Sequence, residues 1–465
     1  MSQAIAVFFE WWGWILTALE LLALASIPSI LLQRRGRPLS ALSWVMAMIA
    51  LPLIGLLLWW LVGRNHLRRK KRKRRKARET LAPRIESISQ RLGQSSRTEA
   101  TLTPLPGLPR DLRYTIFPAT RGNGVELLVD GQAVYAAMRE AIARAEHHVH
   151  FLFYNWENDH TGRQFRDLLC ERARAGVQVR ALYDAIGSWQ GRRLTAPLVG
   201  YGGQVASCLP PRLLTLKPNL NFRNHRKILI VDGQVGFIGG LNIGDEYLGE
   251  WHDVAVRVRG PVLDQLQEVF VDDWFHASGQ NLASEDYFGK WGASASGSNA
   301  SCSVLATGPD NPHNLIHDLL FGAINQAQQR LYITTPYFIP SSPILTAIRT
   351  AIYRGVEVKL LLPERSDVPL VQMASRSFYL DILKAGGAIH EYQPAFLHAK
   401  TIVFDRDLSL VGSANIDTRS FRYNFEANVF VRDVALNRSL SDLFERLARR
   451  RRARGTCCRV GVPSG

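Results

Sequence analysis

The 465-residue sequence predicts an α/β protein of two pseudo-symmetric lobes behind an N-terminal transmembrane helical hairpin. Two observations carry that expectation. Two long apolar stretches stand in tandem at the N-terminus, and the rest of the chain repeats one alternation of strands and helices.

The apolar stretches run from Trp11 to Leu32, interrupted only by Glu20, and from Leu39 to Gly63, with no charge. Each reaches the ~20 residues needed to cross a bilayer core at ~1.5 Å per residue. The short link QRRGRP forces an antiparallel pair, with both ends on one side. A dense basic run, Arg64 to Arg78, follows at once and places that side in the cytoplasm. Arg34, Arg35 and Arg37 in the link pull the other way, but the larger block dominates. The expectation is therefore a multi-pass membrane protein with its folded part on the cytoplasmic side.

The net charge of +17 and pI near 10.0 would by themselves suit nucleic acid or an anionic membrane. Much of the excess lies in that basic run and in a cluster at Arg449–Arg454, so it says little about the substrate of the folded part. An anionic membrane is the expected partner, and nucleic acid is not. Oligomeric state is not legible. Five cysteines, Cys170, Cys208, Cys302, Cys457 and Cys458, are odd in number and lack metal-type spacing, which argues against a disulfide framework.

Residues 64–112 read as a basic juxtamembrane segment and polar linker. The first lobe is expected over 113–288, a linker over 289–303, the second lobe over 304–440 and a basic tail over 441–465. In each lobe a helix leads to a strand (HHVHFLFYNW; RLYITTPYF), then a helix, a glycine (Gly176; Gly355) and a second strand (VQVRALYD; VEVKLLLP). Such alternation implies βαβ units and a mostly parallel sheet. A repeat found once fits a pseudo-twofold pair facing across one cleft.

Both repeats close on His-x-Lys-x-x-x-x-Asp: His225, Lys227 and Asp232, then His398, Lys400 and Asp405. At a fixed interval follow Gly239-Gly240-Leu241-Asn242 and Gly412-Ser413-Ala414-Asn415. Strand alternation puts each His and Lys on one face. The Asp has the opposite parity, and its place within this catalytic set is that of a brace at the strand end. A histidine beside a cation and an amide donor suits a phosphate and its developing charge. Two histidines permit nucleophilic attack on phosphorus by one and proton transfer by the other. No metal or other cofactor is required, since lysine is a poor ligand and no carboxylate or cysteine cluster accompanies either histidine.

These blocks resemble the paired signatures of the phospholipase D superfamily. The resemblance implies two α/β lobes sharing one active site, with His225 as nucleophile and His398 as general acid, then base. Lys227, Lys400, Asn242 and Asn415 match its phosphate-gripping positions, with Ser413 beside them. Asp253 in EWHDV and Glu426 in NFEANV fall where the family keeps a carboxylate that orients a histidine. By residue type alone they could equally be surface charges at a strand start.

Nearly the whole chain is similar to the bacterial cardiolipin synthases, through stretches such as TTPYFIPS and NHRKILIVDGQVGFIGGLNIGDEY. That likeness implies joining of two phosphatidylglycerols with release of glycerol through a phosphohistidine. Hydrolysis of phospholipid, use of phosphatidylethanolamine, a nuclease and a non-catalytic lipid-gathering scaffold are the competing readings. The chain departs from the family after Phe444, where an Arg-rich tail replaces apolar sequence, and at Gly240, which lacks the hydroxyl of Ser413. Tyr154, Trp156, Tyr337 and Phe338 stand near the expected cleft as core or substrate-facing aromatics.

Overall fold

A computed structural model describes residues 2–34, 38–63, 83–84, 87–88, 98–99, 117–210, 221–289, 299–311 and 314–449. The basic run after Gly63, most of the expected linkers, Arg35 to Arg37 and the tail with Cys457 and Cys458 lie outside the described residues. The chain divides into two compact units: residues 1–73 with 210–222, and residues 74–209 with 223–465.

In the first unit, α1 (Ser2–Ala25) and α2 (Ile27–Gln33) are followed by α3 (Pro38–Ala50) and α4 (Pro52–Leu58). One stretch, Gly13–Gln33, is long and apolar enough to cross a membrane. The second apolar stretch is not the single unbroken helix expected of it. Leu51 leaves helical geometry at φ −140° and ψ 71°, because the ring of Pro52 disfavours the α region in the residue before it. Ala23, Ile30, Met48, Leu56 and Trp59 form a small buried cluster, while Trp11, Trp14, Leu32 and Leu39 turn apolar side chains outward.

In the second unit the first repeat supplies β1 (Ala119–Val129), α5 (Asp130–Ala143), β2 (His148–Phe153), α6 (His160–Arg174), β3 (Gln178–Asp184), α7 (Gly191–Gly200), β4 (Gln204–Cys208), β5 (Lys227–Val231), β6 (Val235–Gly239), β7 (Val254–Arg259) and α8 (Val262–Ser278). The second supplies β8 (Ala300–Thr307), α9 (Leu315–Gln326), β9 (Arg330–Thr334), α10 (Ser342–Tyr353), β10 (Glu357–Pro363), α11 (Pro369–Arg376), α12 (Tyr379–Ala385), β11 (Ala388–Tyr392), β12 (Thr401–Phe404), β13 (Leu408–Gly412), β14 (Asn424–Arg432) and α13 (Val434–Arg449). The strands line up as β11-β10-β9-β12-β13-β14-β8-β1-β7-β6-β5-β2-β3-β4. Read outward from the antiparallel β8–β1 pair, the two halves of that order are the same.

Local chemistry places the elements. Strands such as β2 and β5 are buried along their whole length, as a sheet covered on both faces requires. Helix α6 starts where the Asp159 carboxylate accepts the Gly162 N–H at 2.7 Å. Gly176 and Gly355, at φ +90° and +85°, turn the chain from helix into strand in the left-handed region open to glycine.

The sheet corrects two expectations. Only β2-β3-β4 and β9-β10-β11 are parallel, and every other pairing along the main order is antiparallel. The motif blocks form hairpins, whose short turns can join only antiparallel strands. The lobe boundaries also shift. Strand β8 begins inside the expected 289–303 linker, and α13 runs nine residues past 440. That helix buries Leu443, Phe444, Leu447 and Ala448, so its apolar face belongs to the hydrophobic core that the two lobes share.

Candidate active site

The C-terminal ends of the parallel strands lead to the histidines, as open α/β sheets place their sites. Tyr154 directly follows β2, and its ring meets His225 edge-on at 4.9 Å. At the opposite ends of those strands stand Asp232 and Asp405. Asp232 accepts the N–H groups of Glu146, His147 and His148, and Asp405 those of Gln328, Gln329 and Arg330. Both aspartates sit in left-handed turns, at φ 54° and 47°. They tie each motif hairpin to the neighbouring strand, and their carboxylates are spent on backbone.

Each histidine is carried across to the other lobe by a two-residue parallel pairing. Arg223–Asn224 pairs with the start of β14, and the His225 N–H donates to Phe425 O at 2.8 Å. Phe396–Leu397 pairs with Trp251–His252, and the His398 N–H donates to His252 O at 2.8 Å. The partners are thereby exchanged. His225 Nδ1 lies 3.0 Å from Glu426 Oε2, and His398 Nδ1 lies 2.6 Å from Asp253 Oδ2. Neither carboxylate is a surface charge, for both are fully buried. This crossing was not legible in the sequence.

The lysines are buried too. Lys227 donates to His225 O at 2.8 Å and lies over the Tyr154 ring, and Lys400 donates to His398 O. Lys400 Nζ is 4.0 Å from Asp253 Oδ2. The field of Lys400 reaches His225, and those of Lys227 and His225 reach His398, so the two motifs act on one another's charge.

Burial pushes the His225 imidazole down to about 4, and burial with the Lys400 and Lys227 charges pushes His398 well below its usual range. Both rings are therefore neutral at rest, with Nδ1–H donating to a carboxylate and Nε2 holding a lone pair. Burial lowers Lys227 well below the ordinary lysine range and Lys400 to about 8. Burial lifts Asp253 to about 6. Burial also pulls Glu426 upward, but the neighbouring His225, Lys227 and Ser413 outweigh it and hold this carboxyl below its ordinary value.

The other expected residues occupy distinct places. The Ser413 hydroxyl donates to Glu426 Oε2 at 2.5 Å and accepts the Ala427 N–H at 3.0 Å, so it faces the carboxylate and positions it. Asn242 donates to the Tyr247 hydroxyl and accepts the Asn155 N–H, at 2.9 and 3.3 Å. Asn415 is buried with Oδ1 unpartnered. Trp156 and Phe338 are core, whereas the Tyr337 hydroxyl donates to the exposed Asp367 carboxylate.

Sequence reasoning missed four neighbours of the site. Rings of Tyr247, Trp251 and Phe396 pack around His398 at 5.7, 4.8 and 6.0 Å. Arg226, between His225 and Lys227, donates to Asp273 at 2.6 Å and to the carbonyls of Glu426 and Thr307 in the other lobe. At Gly240 an added Cβ would stand 2.4 Å from Asp253 Oδ1, which is why the hydroxyl of its counterpart Ser413 is missing there.

The profile described as "Cardiolipin synthase, PLD-like domain" matches residues 138–274 and 320–448, and "Phospholipase_D-nuclease N-terminal" matches 21–64. The chain is 35% identical to a cardiolipin synthase of Geobacillus kaustophilus, over 85% of this chain and 80% of that one. It is 34% identical to one from Alkalihalophilus pseudofirmus, over 93% and 88%. It is also 34% identical to cardiolipin synthase 1 of Bacillus cereus, over 88% and 83%. Among solved structures, the phosphatidylserine synthase of Haemophilus influenzae shares the fold with a TM-score of 0.54 at 16% identity, covering 70% of this chain and 86% of that one.

Proposed function

Because the chain belongs to the cardiolipin synthase family of phospholipase D-like proteins, we propose that it transfers a phosphatidyl group from one phosphatidylglycerol to another, releasing glycerol. The observation that carries the mechanism is the crossed pair of buried carboxylate–histidine contacts.

His225 Nε2 attacks the phosphorus of the first lipid. Its Nδ1–H faces the anionic Glu426, which offsets the positive charge that grows on the ring. Once the substrate phosphate is bound, His398 Nε2 takes up a proton from solvent, and the bond to the head-group glycerol then breaks as that Nε2–H gives its proton to the glycerol oxygen, leaving phosphatidyl-His225. The head-group hydroxyl of a second phosphatidylglycerol then loses its proton to His398 and attacks phosphorus, the P–N bond breaks, and cardiolipin leaves. Atoms balance, and both rings return to their starting state. Lys227 and Lys400 bear the phosphate charge. That anion also raises the proton affinity of His398, the group that burial holds neutral in the empty site.

Around this chemistry, the two apolar stretches form a membrane hairpin with the basic run and catalytic unit on the cytoplasmic side. Labelling of a cysteine placed at Arg35 from outside spheroplasts tests that topology; labelling only after lysis overturns it.

Full-length protein given phosphatidylglycerol is expected to yield cardiolipin and glycerol in equal amounts. Phosphatidic acid as the main product would replace transfer by hydrolysis, and absence of all products would end the proposal.

A further inference from the structure

His398, the lysines and the carboxylates of the site are buried and His225 is only partly exposed, while the phosphates they act on are fixed at a bilayer surface. The edge of the sheet that holds the site carries the side chains suited to that surface. In the first lobe, after β3, Trp189 is 76% exposed. It directly follows Ser188, whose hydroxyl accepts the Trp156 N–H at 2.8 Å and donates to Tyr154 O at 3.3 Å, beside the residue whose ring meets His225.

In the second lobe, at the matching place after β10, stands α11. Leu370 and Met373, three residues apart and so on one face, are 75% and 71% exposed. Ser375 is the one buried residue of this helix. A surface helix normally turns its apolar stripe to the core, and this one turns it outward. Val368 and Leu380 extend the exposed apolar surface at either end. Asp367, just before α11, accepts the Tyr337 hydroxyl at 2.7 Å and acts on the charge of Lys400, which fixes the helix beside the site. Exposed arginines interleave with these residues: Arg192 and Arg193 after Trp189, and Arg365 and Arg376 around α11.

We propose that Trp189 and the α11 face of Leu370 and Met373 form a two-point docking surface that seats the active-site edge on an anionic phospholipid bilayer. The apolar side chains enter the head-group boundary and the arginines meet lipid phosphates, the pattern of interfacial helices. Both prongs stand at strand ends that flank the histidines, so docking delivers head groups into the cleft without extracting the acyl chains. The inference rests on the phosphatidyl-transfer reading and adds to it the surface through which substrate arrives.

Two measurements test it on the full chain in phosphatidylglycerol vesicles. A fluorophore on Met373→Cys, in a Cys457→Ser, Cys458→Ser background, is expected to be quenched by acyl-chain nitroxide lipids. The same label on Tyr353→Cys, an exposed apolar position on α10 at the opposite sheet edge, is expected to stay unquenched. Equal quenching at the two positions would overturn the proposal. This readout is independent of which lipid product forms.

The double variant Leu370→Asp, Met373→Asp is expected to slow turnover of bilayer phosphatidylglycerol by about tenfold or more, from the lost insertion of two apolar side chains. Turnover of short-chain, monomeric phosphatidylglycerol stays at the wild-type rate. Unchanged bilayer turnover, or an equal fall with both substrates, would reject docking. Leu370→Trp, Met373→Trp, which keeps the surface apolar, is expected to retain bilayer activity.

Discussion

The two halves of the catalytic unit share a fold and a motif, yet they hold their histidines differently. Glu426 reaches His225 on a long side chain and is met by three donors, from His225, Ser413 and Asn424. Asp253 reaches His398 on a short one, accepts the Val254 N–H, and occupies the space that Gly240 leaves open. The more fully hydrogen-bonded Glu426 stays below the usual carboxyl range, while Asp253 rises to about 6. The chain just after His225 is also clamped by the buried Arg226–Asp273 pair, whereas the matching residue beside His398 is Ala399. Duplication has thus produced one rigid, firmly charged histidine site and one closer to a proton-exchange threshold. That division suits a fixed nucleophile facing a mobile proton carrier.

The largest test separates these roles. His225→Asn and His398→Asn are each expected to cut cardiolipin formation by roughly 10³-fold or more, from loss of the nucleophile or the acid. With a phosphatidyl ester of p-nitrophenol, whose leaving group needs no proton, the His398→Asn protein should still release p-nitrophenolate in a burst and retain a phosphatidyl group on His225. A burst from His225→Asn instead would reverse the assignment.

The carboxylates sharpen the contrast through pH. A bell-shaped kcat/KM is expected, falling below about pH 6 as Asp253 takes a proton and above about pH 8 as Lys400 loses one. Asp253→Asn and Glu426→Gln should each lower the rate by roughly 10²-fold or more, since each fixes a ring tautomer. Only Asp253→Asn should erase the acid limb. A limb unmoved in that variant would mean that another group sets it.

Rigidity is the next difference to probe. Arg226→Met leaves Asp273 buried without its guanidinium, and unpairing such a charge costs about 3–5 kcal/mol. Thermal unfolding of the full chain in detergent should show that loss. Arg226→Met with Asp273→Leu should recover most of it, since two apolar groups leave no orphaned charge. If the double variant regains stability but not kcat, the clamp positions His225 as well as holding the fold.

Much of this was readable before any coordinates. The repeated His-x-Lys-x-x-x-x-Asp, with Gly176 and Gly355 at matching places, announced two lobes because hydrophobic period and turn chemistry are local properties. The parity of Asp232 and Asp405 likewise placed them away from the histidines. Two features resisted. That Glu426 serves His225 and Asp253 serves His398 depends on parallel pairings between segments some 150 to 200 residues apart, which no local pattern encodes. The helix that runs past residue 440 is masked in the sequence by its charge. In α13 the arginines at 446 and 449 share a helix with buried Leu443 and Leu447, a periodicity that counting charges conceals.

The residue pair that most directly records the divergence gives one large effect, at Gly240, and the smallest, at Ser413. Gly240→Ala would push a methyl to within 2.4 Å of Asp253 Oδ1, so the carboxylate must leave His398, and activity should approach that of Asp253→Asn. Ser413→Ala adds no bulk and removes one hydrogen bond to Glu426, whose His225 and Asn424 contacts remain. A hydrogen bond to a charged group contributes about 1.5–3 kcal/mol, so a loss of roughly tenfold in kcat is expected. The sign of the pH effect follows from the same contact. The hydroxyl helps hold Glu426 low, so removing it raises that carboxyl, and in an Asp253→Asn background, where the first acid limb is gone, the remaining acid inactivation moves to higher pH. A Ser413→Ala variant with a raised KM for lipid, and no shift of acid inactivation in the Asp253→Asn background, would place the hydroxyl on substrate phosphate instead of on Glu426, and the two halves would then differ less than their hydrogen bonds imply.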